Sequence, residues 1–184
     1  MGRGERPIIV AADIADIDLI SPLWEQLNEH NKAAHKKCFG EDLRETWEDK
    51  KRELRKRSEQ CQFKFDYARS NDTVVGYCIS SINMRKEGEI ISLFVLPEFR
   101  RGGVGSSLMR THILWLRESG AKSVFLYVHP CNIDAIRFYW RFHFFSSSPL
   151  MEFSETDFSK IVVRRGPTGE IEDAEELFPS ALFG

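Results

Sequence analysis

The chain has 184 residues, of which 42% are hydrophobic, 12% aromatic and 29% charged, and its formal net charge is −2. A globular chain of this length buries roughly 70% of its unfolded surface and needs no staples to hold a core. The absence of a basic excess speaks against a nucleic-acid partner, and no apolar run approaches the ~18 residues of a membrane span.

In chain order, Arg6 to Ala12 reads as a first strand through Ile8, Ile9 and Val10. Ile20, Leu23, Trp24 and Leu27 then make a helical stripe, with Ser21-Pro22 as cap and first turn. A second helix is expected from about Asp42 to Arg57, its narrow apolar stripe formed by Leu43, Trp47 and Leu54. Its remaining faces carry opposite charges at i,i+4, such as Glu48–Arg52 and Glu53–Arg57, and read as a solvated surface. From Phe63 the period falls to two: Phe63, Phe65 and Tyr67 alternate with polar residues, Ser70-Asn71-Asp72 turns, and Thr73 to Ile82 returns. A second turn at Arg85 to Gly88 leads into a third strand, Glu89 to Val95, completing an antiparallel meander.

The chain then passes Pro97 and the basic, glycine-rich turn Arg100-Arg101-Gly102-Gly103-Val104-Gly105-Ser106 into a helix ending at Ser119-Gly120. A glycine-rich loop feeding a helix directs free N–H groups at an anion and lets it approach the backbone closely. The loop therefore reads as a pyrophosphate cradle. It is no Walker A loop, because Ser106 rather than Lys follows Gly105. It is no dinucleotide fingerprint either, because Leu108 takes the place of the third small residue and no acidic residue ends the next strand. That next strand, Ser123 to Val128, follows a crossover helix and so implies a parallel or mixed sheet. The fold class expected is α/β, a meander plus a parallel pair in one sheet with helices on both faces.

Beyond Phe144, three segments have strand character: Phe144 to Ser147, Leu150 to Phe153 and Lys160 to Arg164. The pattern does not decide which of them close the sheet. No Pro/Gly/Ser-rich linker interrupts the first 165 residues, so 1–165 are expected to be one domain and 166–184 an extension. The extension is either disordered or lays its apolar residues on a second subunit of a homodimer; an ordered contact is the expectation. Asp13, Asp16 and Asp18 cut the first apolar segment, unlike a signal peptide. Arg6 stands where a myristoylation signal needs Ser or Thr. Cys38, Cys61, Cys78 and Cys131 have no metal or redox spacing, which points to a reducing cytoplasm.

Arg100-x-x-Gly103-x-Gly105 after a strand ending in Val95 resembles the acyl-CoA-binding motif of the GNAT superfamily of N-acyltransferases. A second element, Asn132 followed by Ala135-x-x-Phe138-Tyr139, resembles the family's next strand end and helix at the right distance. The resemblance covers roughly residues 60 to 145. It implies acetyl-CoA as co-substrate, bound by Arg100, Arg101, Gly102, Gly103, Val104, Gly105 and Ser106, with Asn132 on its pantetheine or phosphate part. It also implies that the fourth strand splays from the fifth and that a backbone N–H near Phe94 or Val95 polarises the thioester carbonyl. Where the family usually has Gly before the Phe that follows this helix, His143 precedes Phe144, and His takes a left-handed cap less easily.

Acyl transfer to an amine needs a neutral amine, a polarised carbonyl and a protonated leaving thiolate. By the resemblance Tyr139 is the candidate acid for the thiolate. Glu89, at the start of the strand that continues to the cofactor, is the candidate base, and His129 the second choice. Cys131 lacks any acid–base partner beyond His129, so direct attack without an acyl-enzyme is expected. No His, Cys or carboxylate spacing suggests a metal. The expected activity is thus N-acetyl transfer to a small-molecule or peptide amine. Two other classes stay open: a non-catalytic acyl-CoA sensor, and a protein-interaction domain acting through its tail.

Overall fold

The computed structural model describes residues 6–39, 45–146 and 161–164. Four alternating segments build the first half of one sheet: β1 (Ile8–Ala12), β2 (Gln62–Ser70), β3 (Thr73–Ile82) and β4 (Glu87–Val95). All three pairings among them are antiparallel. β5 (Ser123–Val128) then runs parallel to β4, and β6 (Phe145–Ser146) and β7 (Ile161–Arg164) close the edge in the order β1-β2-β3-β4-β5-β7-β6. Of the three candidate closing segments, the first and last contribute β6 and β7, while 150–153 lie outside the described residues, as do 166–184.

Helices cover both faces. A 3-10 turn, Ile14–Ile20, capped by Asp13 on the Ala15 N–H, precedes α1 (Ser21–Phe39). With α2 (Trp47–Gln60) these buttress one core of Ile17, Ile20, Leu23, Trp24, Leu54, Phe65, Tyr77, Ile79 and Phe94. α2 starts later than expected, because the Thr46 side chain accepts from the Asp49 N–H and so sets the first turn at Trp47. On the other face α3 (Val104–Glu118) and α4 (Ile133–Trp140) pack over Val75, Cys78, Ile82, Ile90, Leu126 and Val128. That core also holds a polar contact: Ser80 Oγ lies 2.7 Å from His112 Nδ1, and His112 Nε2 lies 3.4 Å from Asp66 Oδ2.

The turn into β4 differs from expectation. Gly88 is not in the turn but inside the strand, buried beneath α3, where a Cβ would come 2.8 Å from Leu116 Cδ2. A side chain at this position would have to push the Leu116 side chain aside.

Among the described residues the sheet opens between β4 and β5. β4 and β5 are in register from Glu87↔Ser123 to Ile90↔Leu126 and no further. On its other side β4 slips at the same point: Ser80 faces Ile90 but Ile79 faces Ser92, leaving Ile91 extra. A bulge bends and twists the strand that carries it, which turns β4 away from β5 just where their pairing ends. On its far edge β5 stays paired with β7 through Val128, from Phe125↔Arg164 to Val128↔Ile161.

Candidate active site

The opening exposes one edge of β4. The Leu96 N–H donates to Val75 O at 2.9 Å, across to β3. Antiparallel strands alternate bonded and non-bonded positions, so Phe94 and Ser92 also face β3, and Leu93 and Val95 present their N–H groups to the gap. The Val95 carbonyl agrees, since it accepts from Arg100 Nε at 2.8 Å rather than from β3. Between the two expected positions, then, the N–H that reaches the opening is Val95's. Phe94 is buried on the α1–α2 side with the Arg100 guanidinium 5.3 Å above its ring centroid.

The glycine-rich loop lies beyond this edge. Arg101 and Gly103 have φ of 63° and 86°, in the left-handed region, and Gly103 is the N-cap of α3 with no side chain closing the helix end. The donors of the first turn, Val104, Gly105 and Ser106, are thus left to an external acceptor. A Cβ on Gly103 would meet nothing within 4 Å. The space in front of the donors is open, and the loop fits a pyrophosphate. Gly105 stands inside, where a Cβ would lie 3.5 Å from both Phe138 Cε2 and Val95 Cγ2, so β4, α3 and α4 converge on it.

On α4, Asn132 is the N-cap, its Oδ1 accepting from the Ala135 N–H at 3.1 Å while its Nδ2 reaches Asn31 Oδ1 on α1 at 3.5 Å. Tyr139 is buried with Phe138 and Phe144 packed edge-on around it, and burial, with the nearby Cys78, pushes its hydroxyl pKa up. The helix ends at His143 with φ of 60°, so His takes the left-handed cap that Gly usually fills. The Phe144 N–H still reaches Tyr139 O, at 3.3 Å. Loop, Val95, Asn132 and Tyr139 thus gather on the α3–α4 side of the opening.

Glu89 is on the other face. Its side chain is 14% exposed and ion-paired with Arg57 of α2, which also stands 3.8 Å from Glu53. Sequence reasoning missed Arg57 in this role: its i,i+4 partner Glu53 was visible, but the partner 32 residues away on a strand leaves no local signal. It also missed Asn31 and His35, which fasten α1 to the β5–α4 loop.

His129 is not at an open strand end. It is buried, its Nδ1 accepts from the Cys131 N–H at 3.2 Å, and its Nε2 lies 2.9 Å from His35 Nδ1. An accepting Nδ1 carries no proton, so in the neutral ring Nε2 carries it and donates to His35. Both ring nitrogens are engaged, which removes the second-choice base. Burial, then the neighbouring His35, hold the His129 pKa down. Cys131 is disulfide-bonded, so its sulfur is no nucleophile, and the cysteines no longer argue for a reducing compartment. Among the described residues no group of three or more His, Cys, Asp or Glu is placed to hold a metal. No described helix is long and apolar enough to cross a membrane.

A splayed parallel pair, a bulged β4 and an uncapped helix behind a glycine-rich loop are the arrangement that the resemblance to acyl-CoA-dependent transferases implies. Residues 24–144 match the acetyltransferase (GNAT) family. The chain belongs to that family and is an N-acetyltransferase that uses acetyl-CoA. It is 36% identical to an uncharacterized N-acetyltransferase of Archaeoglobus fulgidus, over 46% of this chain and 68% of that protein. It is 37% identical to N-alpha-acetyltransferase 60 of Xenopus tropicalis, but spans only 27% of that protein's length. In fold it is similar to Arabidopsis thaliana Naa50, solved with the bisubstrate analogue CoA-Ac-MVNAL. The TM-score is 0.63 over 88% of this chain and 99% of that one, at 17% identity.

Proposed function

We propose that the chain acetylates a primary amine by direct attack at the opening between β4 and β5, with Tyr139 as acid and Glu89 as base. The observation that carries this reading is the unpaired edge of β4 ending at Val95 beside the uncapped start of α3. Bound acetyl-CoA supplies an acetyl thioester. Val104, Gly105 and Ser106 offer N–H groups to its pyrophosphate, Arg100 and Arg101 add positive charge, and the Asn132 Nδ2, which also reaches Asn31 Oδ1, turns its second N–H to the pantetheine arm. The Val95 N–H polarises the acyl oxygen from the strand edge.

An alkylamine arrives as ammonium, and removing its proton at neutral pH costs about 4–5 kcal/mol. Glu89 takes that proton on the α2 face, before attack. Tyr139 acts from the α3–α4 face after attack, returning a proton to the departing sulfur. Burial suits it to the acid's part, since it keeps the phenol protonated. The acceptor is a small-molecule or peptide amine. N-alpha-acetyltransferase 60 and Naa50 among the similar proteins favour a peptide α-amine.

The test is a pH–rate profile of Glu89→Gln and Tyr139→Phe with one amine. Glu89→Gln is expected to lose most at neutral pH and to recover as rising pH deprotonates the amine in solution. A uniform loss across pH, or none, removes Glu89 as base.

A further inference from the structure

Arg57 closes the floor of a cleft of about 330 Å³ between the last turns of α2 and the sheet. Its lining sets three carboxylates, Glu53, Glu87 and Glu89, against two cations, Lys56 and Arg57, with Phe125 beside them. Glu87 and Glu89 are two apart on β4 and share a face, and Glu89 is in register with Phe125 across the parallel pair. A carboxylate beside an aromatic ring is chemistry that recognises an ammonium ion. In the free chain the group bonded to Glu89 is itself a cation, the Arg57 guanidinium. That guanidinium already has a second carboxylate at hand, since its Nη2 lies 3.8 Å from Glu53 Oε1, while Lys50 pairs with the other oxygen at 2.7 Å.

We propose that Arg57 holds the place of the acceptor's ammonium group on Glu89, and that a cationic amine displaces it onto Glu53. This rests on the reading of Glu89 as the base. The move exchanges one ion pair for another, so no charge is left unpaired. It also sets the acceptor class. Once Arg57 has moved to Glu53, Glu87 and Glu89 are the carboxylates left to the acceptor, so the cleft favours amines that enter as net cations, and a second ammonium settles at Glu87, whose Oε2 also accepts from Asn83 Nδ2. A free amino acid brings its own carboxylate beside Glu87 and Glu89, and is disfavoured by like-charge repulsion.

The experiment measures amine KM and kcat at saturating acetyl-CoA with diaminopropane, propylamine and free glycine as probes, on folded variants checked by thermal melting. Arg57→Gln removes the internal competitor, so KM for diaminopropane falls by roughly two- to fivefold, the range for a part-exposed ion pair, while kcat holds. Glu53→Gln removes the second seat and raises KM. If Arg57 merely steadied Glu89, Arg57→Gln would lower kcat at unchanged KM; that result overturns the proposal, as does a fall in KM for Glu53→Gln. Preference for glycine over propylamine, or turnover of none of the three probes, overturns the acceptor class. Glu89→Gln separates the two readings. Full activity of Glu89→Gln at every pH removes the base itself. A neutral-pH loss in Glu89→Gln with no KM change in Arg57→Gln leaves the base and removes the displacement.

Discussion

Replacing Gly103 by valine separates folding from cofactor binding. Gly103 has φ of 86°, a conformation that costs a side-chain-bearing residue about 1–3 kcal/mol. The backbone supplies the whole of that penalty, because a Cβ there touches nothing within 4 Å. For a chain of this size, about 2–4 °C of melting temperature is lost per kcal/mol, so Gly103→Val melts lower by roughly 2–12 °C but still folds. The valine methyls fill the open space before the α3 N–H groups, where the pyrophosphate belongs. Loss of CoA affinity should exceed tenfold, or about 1.4 kcal/mol. Gly120 is the control: its φ is 82° and it lies at the other end of α3, so Gly120→Ala bears similar strain yet leaves the cradle intact. Calorimetric titration of CoA at a temperature where all three proteins are folded is the assay. Wild-type affinity in Gly103→Val, or an equal loss in Gly120→Ala, would refute the placement of the pyrophosphate.

Four further outcomes are expected. Tyr139→Phe keeps the ring packing and removes one proton, so kcat falls by roughly 10²-fold with CoA affinity unchanged; full activity means the thiolate leaves unaided. Incubation with acetyl-CoA alone leaves no stable acetyl adduct by intact mass, since the Cys131 sulfur is in a disulfide; an adduct on Cys131 contradicts direct attack. The lowered pKa of His129 makes stability pH-dependent. Below about pH 6.5 the unfolded histidine takes up a proton that the folded one refuses, so the urea midpoint drops as pH falls from 7.5 towards 5.5 and His129→Gln flattens that slope. His143→Gly relieves the left-handed cap at φ of 60° and, after the entropic cost of glycine, gains about 0.5–1 kcal/mol, read as a small rise in melting temperature; a fall would mean the ring's contact with Phe145 outweighs the strain.

The sheet and the loop-to-helix element after β4 are legible because local rules carry them. Period-two alternation in Phe63 to Ile82, Gly120 as helix stop and the uncapped glycine run before α3 each name their structure within a few residues. The reading of α2 as a solvated helix holds for Arg52, which is exposed and pairs with Asp49 three residues away. It fails at Lys51 and Arg57, whose partners Asp18 and Glu89 are brought in by the fold. Gly88 was read as a turn residue because its burial comes from α3 pressing down on the strand, a contact with Leu116 that no local pattern encodes. At the exit from α4 the local rule that favours Gly is overridden, because His143 itself adopts the left-handed conformation with the Phe144 N–H bond to Tyr139 retained. The histidines behaved likewise: a lone His129 at a strand end looks available until His35, 94 positions away, is packed against it.

The central claim is acetyl transfer from acetyl-CoA to a cationic primary amine at the opening beside Val95. Its most direct test is to follow free thiol and acetylated amine together, with diaminopropane, propylamine and a peptide bearing a free α-amine. The account predicts one thiol released per acetylated amine, from at least one of the three, and loss of both signals in Gly103→Val. Tight CoA binding with no acetylated product from any of them would contradict it, and would make the chain a sensor of acyl-CoA rather than an enzyme.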